Sequence, residues 1–263
     1  MSIHPLLYGD VMRILYLGDI VGEKTIEVLK NNLEQIKKDN RINMVLCNAE
    51  NVTKGKGLNQ KHYKELKALG IAGMSMGNHT FSKSEIKDYI NDATIVRPAN
   101  LTTEYGKEVL YIKYNDQTIA LVNLLGRVFL NTPLDCPFKT LDRLLKEIKA
   151  DKIIVDIHAE ATSEKKALFY AFAGKVDAIV GSHTHIKTDD AQTYNNTCYI
   201  TDMGMCGPND SVLGDDPEAV IQRFLSGVFE PLPVANSNDY ILSGVILDLG
   251  TVNKIEDFKV IIK

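Results

Sequence analysis

Cysteine is sparse in this chain of 263 residues, and what there is lies scattered. Cys47, Cys136, Cys198 and Cys206 form no CxxC pair, which weighs against a disulfide framework or a thiolate zinc site. No apolar run approaches the ~20 residues that a helix needs to cross a bilayer. The segment from Met1 to Val11 lacks a basic flank followed by an apolar stretch, so it does not read as a secretion signal. Residues 1–11 are expected to be a short N-terminal extension, because Met12, a second candidate start, directly precedes the first strand. The cytoplasm is the expected compartment. There is no excess of positive charge either. The net charge is −4, so the chain has no general attraction for nucleic acid or an anionic membrane, and any phosphate binding must be local. Repeats and low-complexity tracts are absent. Gly55 and Gly57 do not belong to a GxxxxGK sequence, which excludes a P-loop at that position.

What is present is an alternation of short apolar strands and amphipathic helices. Arg13–Leu17, Met44–Cys47, Ile71–Met76, Ile153–Ile157 and Ala178–Val180 read as buried strands. Helices are predicted over 24–38, 60–69, 142–150, 163–173 and 216–225, and after the capping-box pair Ser82 and Glu85. Glu108–Tyr114 and Thr118–Leu124 form a predicted hairpin, and the tail returns to strands over 243–249 and 258–262. The expected fold class is α/β, with two packed mixed β-sheets flanked by helices, in a single domain over residues 12–263.

Polar residues follow these strands in a consistent way. Asp19, Glu50, Asn78, His158 and the pair His183/His185 each come just after a short apolar run. In open α/β sheets the carboxyl ends of strands meet at one crevice, where ligands bind. Taken singly, each has a simpler explanation. Asp19 could cap a helix, Asn78 could hold a left-handed turn, and His158 could be a satisfied core histidine. Taken together, carboxylate, amide oxygen and imidazole make a ligand set suited to Mn, Fe or Zn, and they predict a dinuclear metal site. His183 and His185 lie two apart, so an extended segment would point both rings the same way. His4 and His62 lie away from strand ends and read as surface residues. Arg127 is a candidate phosphate clamp, with a surface ion pair as the equal alternative.

The order Gly-Asp, Asn-Ala-Glu-Asn, Gly-Asn-His, strand-His, Gly-Ser-His-Thr-His resembles the calcineurin-like metallophosphoesterase superfamily. More narrowly, the chain from Met12 onward resembles the YmdB-like bacterial phosphodiesterases, including the stretches Leu124–Phe129 and Asp202–Gly207. It departs from the general superfamily pattern in having Val21 where a His is usual, and Glu50 in place of an Asp. Both departures fit the YmdB-like branch.

The resemblance implies an αββα sandwich and a division of ligands. Asp19, Glu50, Asn51 and His185 would hold one metal. Glu50, Asn78, His158 and His183 would hold the other, with Glu50 bridging. His79 would be the catalytic proton donor and not a ligand. The implied activity is phosphodiester hydrolysis by a metal-bridging hydroxide, on 2′,3′-cyclic nucleotides or the cyclic phosphate end of RNA, with two divalent or trivalent ions (Fe or Mn before Zn). A phosphomonoesterase such as a nucleotidase, and a regulatory protein with a structural metal site, are the competing readings. A homo-oligomer is expected from the resemblance alone, and no membrane partner is expected.

Overall fold

Strand β1 (Met12–Val21) is buried almost along its whole length, which explains its nearly unbroken apolar sequence. A strand covered on both faces cannot alternate apolar with polar residues. The computed structural model that shows this describes residues 11–130 and 132–263. Of the expected extension over 1–11, positions 1–10, and with them His4, lie outside the described residues.

After β1 come α1 (Lys24–Asp39), β2 (Met44–Asn51), α2 (Gln60–Ala68), β3 (Ile71–Ser75), β4 (Ile95–Val96), β5 (Val109–Tyr114) and β6 (Gln117–Leu125). The chain continues with α3 (Pro137–Leu145), β7 (Lys152–His158), α4 (Thr162–Phe172), β8 (Ala178–Ser182), β9 (Gln192–Tyr194) and β10 (Thr197–Ile200). It ends with β11 (Met205–Pro208), α5 (Pro217–Ser226), β12 (Tyr240–Leu249) and β13 (Lys254–Ile262). Among the described residues these strands form two mixed sheets. One has seven strands in the order β13-β12-β11-β1-β2-β3-β4, the other six in the order β5-β6-β7-β8-β10-β9. In the first, β1 runs parallel to β2 and β11 and antiparallel to β12. In the second, β6, β7, β8 and β10 are parallel, and the hairpin partners β5 and β9 close the edges antiparallel.

Three apolar layers hold this arrangement. Leu15, Leu17 and Val45 pack with Ile26, Leu29 and Leu33 of α1 on the outer face of the first sheet. Ile14, Leu46, Leu121, Ile154 and Val180 fill the space between the sheets. Val122, Val155, Leu168 and Phe169 form the third layer, beneath α4. Successive residues of β1 thus serve opposite layers, as the strand period requires. The predicted two-sheet architecture is the one observed.

Several local expectations change. The segment after Ser82 forms a 3-10 turn over Ser84–Asp88 with no side-chain cap, in place of the capping-box helix. Helix α3 begins at Pro137 and ends at Leu145, earlier than the predicted 142–150, because Pro137 favours a first helical turn. The short strands β4, β9 and β11 carry too few residues to show a period. His62 is not a surface residue. It is buried, and its Nδ1 pairs with Thr53 Oγ1 at 2.9 Å.

Leu46 is fully buried between the sheets. Leu46→Ala is therefore expected to cost about 2–5 kcal/mol, read as a lower urea midpoint at unchanged slope. A loss well under about 1 kcal/mol would show that the layer between the sheets is loosely packed.

Candidate metal centre

The carboxyl ends of β1, β2, β3, β7 and β8 bring the polar residues to one place. Asp19 lies within β1 and Glu50 within β2, both at most 1% exposed. Close backbone approach makes this possible. A side chain at Gly18 would strike the carbonyl of Gly204, and Asp19 N donates to that same carbonyl at 3.1 Å. Gly77, just beyond β3, has the same role on the other side. A Cβ there would fall on Glu50 Oε2 and the His158 ring.

Around this cradle the side chains meet. His158 Nε2 is 2.9 Å from Glu50 Oε1, 3.0 Å from Asn78 Oδ1 and 3.0 Å from His183 Nδ1. Glu50, His158 and His183 each turn one ligand atom into a single small volume, with these atoms within 4.8 Å of one another. Asp19 Oδ2 accepts from His183 N at 3.2 Å, while its Oδ1 faces His158 Nδ1 at 3.8 Å and His185 Nε2 at 3.9 Å. Asn51 is buried beside them. Its amide nitrogen donates to Gly55 O at 2.9 Å, so the loop over 53–57 folds back and leaves the amide oxygen free. Asp19 Oδ1 and Asn51 Oδ1 accept no hydrogen bond from the described residues. Two buried oxygens of this kind are costly unless something positive meets them.

His183 and His185 arrive differently from the extended pair expected. Strand β8 ends at Ser182, and both histidines take positive φ, 98° and 65°. The chain here is a tight turn, so strand alternation does not aim the rings. His185 Nδ1 donates to Leu213 O at 2.7 Å, which leaves Nε2 directed at Asp19. A buried ion pair holds the turn. Lys165 Nζ donates to Ser182 O at 2.7 Å and to Asp202 Oδ2 at 2.8 Å, and Asp202 also accepts from Thr184 N and Oγ1. Lys165 and Asp202 are missing from the sequence-based candidates. The available signal was a lysine on the apolar face of α4, in step with Leu168, Phe169 and Phe172. Glu160 was also missed. Its Oε2 reaches His183 Nε2 at 3.1 Å.

The electrostatics of the cluster are those of two carboxylates and shared positive charge. Burial pushes the Asp19 carboxyl up to about 6 against the attraction of His185 and His158. Burial also acts against the charged form of Glu50, but His158 and His79 outweigh it and hold that carboxyl at about 2. For His158 the penalty of burial is exceeded by Glu50, Asp19 and Asp156, which raise it to about 9. Burial, then the neighbouring His158, depresses His183 to about 3. A single imidazolium thus serves two carboxylates, and the region favours more positive charge.

His79 has a separate position. Its backbone N donates to Glu50 Oε2 at 2.8 Å, but its ring contacts Asn78 Nδ2 and Ser82 Oγ, each at 3.3 Å. Burial lowers its pKa, with Glu50 opposing. Arg127 is exposed and forms no ion pair among the described residues. Its backbone N donates to Glu164.

A match to the family described as YmdB-like protein spans residues 15–261. The chain belongs to this YmdB-like family. A 2′,3′-cyclic-nucleotide 2′-phosphodiesterase of Bacillus subtilis is 42% identical over 248 residues, covering 92% of this chain and 93% of the relative. A crystal structure described as a novel phosphatase from Mycoplasma pneumoniae superposes with a TM-score of 0.90 at 39% identity, covering 96% of this chain and 94% of that one. A hypothetical protein from Thermus thermophilus follows at 0.88 and 34%, covering 94% and 99%. The YmdB-like match contains every candidate residue from Asp19 to His185.

Asp19 gives a test of these electrostatics. A carboxyl whose folded pKa of about 6 exceeds its ordinary value of 3.8 loses stability for the fold as pH rises through that window. In protein kept in chelator, Asp19→Asn is therefore expected to melt above the wild type at pH 7–8 and to lose that advantage near pH 4. A variant that melts lower at pH 7–8 would show that Asp19 is satisfied without any cation.

Proposed function

We propose that this YmdB-like protein is a dinuclear metal-dependent phosphodiesterase, with residues 12–263 acting as one catalytic domain. The observation that carries the reading is the pair of unpartnered buried oxygens, Asp19 Oδ1 and Asn51 Oδ1, beside the cluster of Glu50, His158 and His183. The donor set fits Mn, Fe or Zn, being carboxylate, amide oxygen and imidazole without thiolate. Asp19, Glu50, Asn51 and His185 would hold one ion. Glu50, Asn78, His158 and His183 would hold the second, with Glu50 shared.

Two such ions supply Lewis acidity, which activates water and offsets charge on phosphoryl oxygens. The chain's own residues do the rest. Glu50 is fixed by the backbone N of His79, so its two oxygens keep separate directions. Asn78 spans the gap between His158 and His79 through the two ends of its amide. The His79 ring stays outside the ligand cluster, where it can give a proton to the departing sugar oxygen. A positioned acid of this kind typically contributes ~10²–10⁴-fold.

For the substrate, the name of the Bacillus subtilis relative favours 2′,3′-cyclic nucleotides, or the same cyclic phosphate at an RNA end. The description of the Mycoplasma pneumoniae protein as a phosphatase favours a monoesterase. No helix among the described residues is long and apolar enough to cross a membrane, and a cytoplasmic, homo-oligomeric enzyme is the form we propose.

Protein stripped of metal and resupplied with manganese or ferrous iron is expected to open 2′,3′-cyclic AMP, and to prefer bis(p-nitrophenyl) phosphate over p-nitrophenyl phosphate. The reverse preference would establish the monoesterase. His79→Ala is expected to lose ~10²–10⁴-fold in turnover while keeping its metal content. Equal loss of metal in that variant would make His79 a ligand. Gly77→Ala is expected to fold but to lose metal, because its Cβ displaces Glu50 and His158.

A further inference from the structure

Beneath the metal-facing side chains lies a second polar group, buried between the sheets and not used in the mechanism above. Asp156, at β7, is fully buried in a mainly apolar layer. Its Oδ1 accepts from Ser182 Oγ at 2.6 Å, and its Oδ2 accepts from Ser75 Oγ and, at 3.2 Å, from Asn48 Nδ2. Tyr16 OH donates to Ser75 Oγ at 2.8 Å, so that hydroxyl passes its own hydrogen on to Asp156. Ser182 Oγ is also 2.9 Å from His158 Nδ1.

A hydrogen inventory decides the direction of each bond. A hydroxyl has one hydrogen to give, and Ser182 gives it to the carboxylate. Ser182 Oγ can then only accept from the histidine, so His158 Nδ1 must carry a proton. The nearby Asn48 amide does not change this. Its two hydrogens go to Met76 O at 3.0 Å and to Asp156, and its contact with His158 Nδ1 is 3.5 Å. With Nδ1 protonated, the lone pair of neutral His158 is at Nε2, the atom that faces Glu50, Asn78 and His183.

We infer that Asp156 and Ser182 are positioning residues that hold His158 in its Nδ1–H tautomer through a carboxylate–hydroxyl–imidazole relay. The relay rests on the reading of His158 as a metal ligand for its purpose, though not for its geometry. A ligating histidine is commonly oriented by a partner at its other nitrogen, and losing such a partner typically costs about 10–100-fold in metal affinity. Here that partner is a serine, with the carboxylate one step further away.

The test uses protein with nitrogen-15-labelled histidine, loaded with zinc so that the spectrum is undisturbed by unpaired electrons. His158→Gln assigns the signal. The expected spectrum shows a proton on His158 Nδ1 and none on Nε2. A bare Nδ1 with a protonated Nε2 would overturn the inference. If wild-type protein takes up no zinc, the metal reading fails separately, and the metal-free spectrum, taken above pH about 9 where His158 is neutral, still decides the relay by which ring nitrogen keeps the proton. Ser182→Ala is expected to bind zinc about 10–100-fold more weakly with an unchanged circular dichroism spectrum. Should that variant not fold, Asp156→Asn takes its place with the same expected direction. Unchanged zinc affinity in a folded variant would leave Ser182 and Asp156 as packing residues only and overturn the proposal.

Discussion

Burying Asp19 and Glu50 at the joint edge of two sheets sets an electrostatic condition that the surrounding structure has to meet. An isolated carboxylate in such a place would lose far more hydration than packing returns. Glu50 is met by a charged His158 and a backbone N–H. Among the described residues Asp19 receives only the His183 N–H and distant imidazoles, and one oxygen is left over. The convergence of β1, β2, β3, β7 and β8 brings imidazoles from the second sheet and a backbone N–H from just beyond β3 to these two carboxylates. The glycines Gly18 and Gly77 permit the approach, and the Lys165–Asp202 pair holds the turn that carries His183 and His185.

Two kinds of buried polar structure therefore coexist. Lys165–Asp202 is internally neutral, and Asp156 is served by hydroxyls and an amide. In each the charged group has its partners, and Asp156 is joined to the cluster through Ser182. In the cluster above them, Glu50, His158 and His183 turn ligand atoms into one small volume, and Asp19 Oδ1 and Asn51 Oδ1 accept no hydrogen bond from the described residues. Among the described residues, Asn123 Oδ1, Arg223 Nε and Asp248 Oδ1 are also buried without a partner, so it is the position of Asp19 Oδ1 and Asn51 Oδ1 at the Glu50 end of the sheet that gives them their bearing on the proposed metal site. His79 belongs to the same arrangement, since its backbone N donates to Glu50 while its ring turns to Asn78 and Ser82, the placement on which its proposed role as proton donor rests.

Much of this was legible in the sequence, for a physical reason. Strands buried on both faces appear as unbroken apolar runs, so β1, β2, β3, β7 and β8 could be found without an alignment, and the residue after each run could be named. The turn at His183 and His185 was less legible. Its positive φ values depend on Lys165 and Asp202, which lie 18 or more residues from His183. His62 was misplaced because its burial depends on Thr53 and the loop that folds around Asn51. The strands β4, β9 and β11 hold two to four residues each and draw their identity from neighbours, not from any pattern of their own.

The most direct measurement is the anomalous scattering of a manganese-loaded crystal. The account predicts two peaks per chain, about 3.5–4 Å apart, with Glu50 between them. One peak should lie against Asp19, Asn51 and His185, and the other against Asn78, His158 and His183. A single peak, or peaks placed away from Asp19 Oδ1 and Asn51 Oδ1, would contradict the claim that these unpartnered oxygens exist to hold metal.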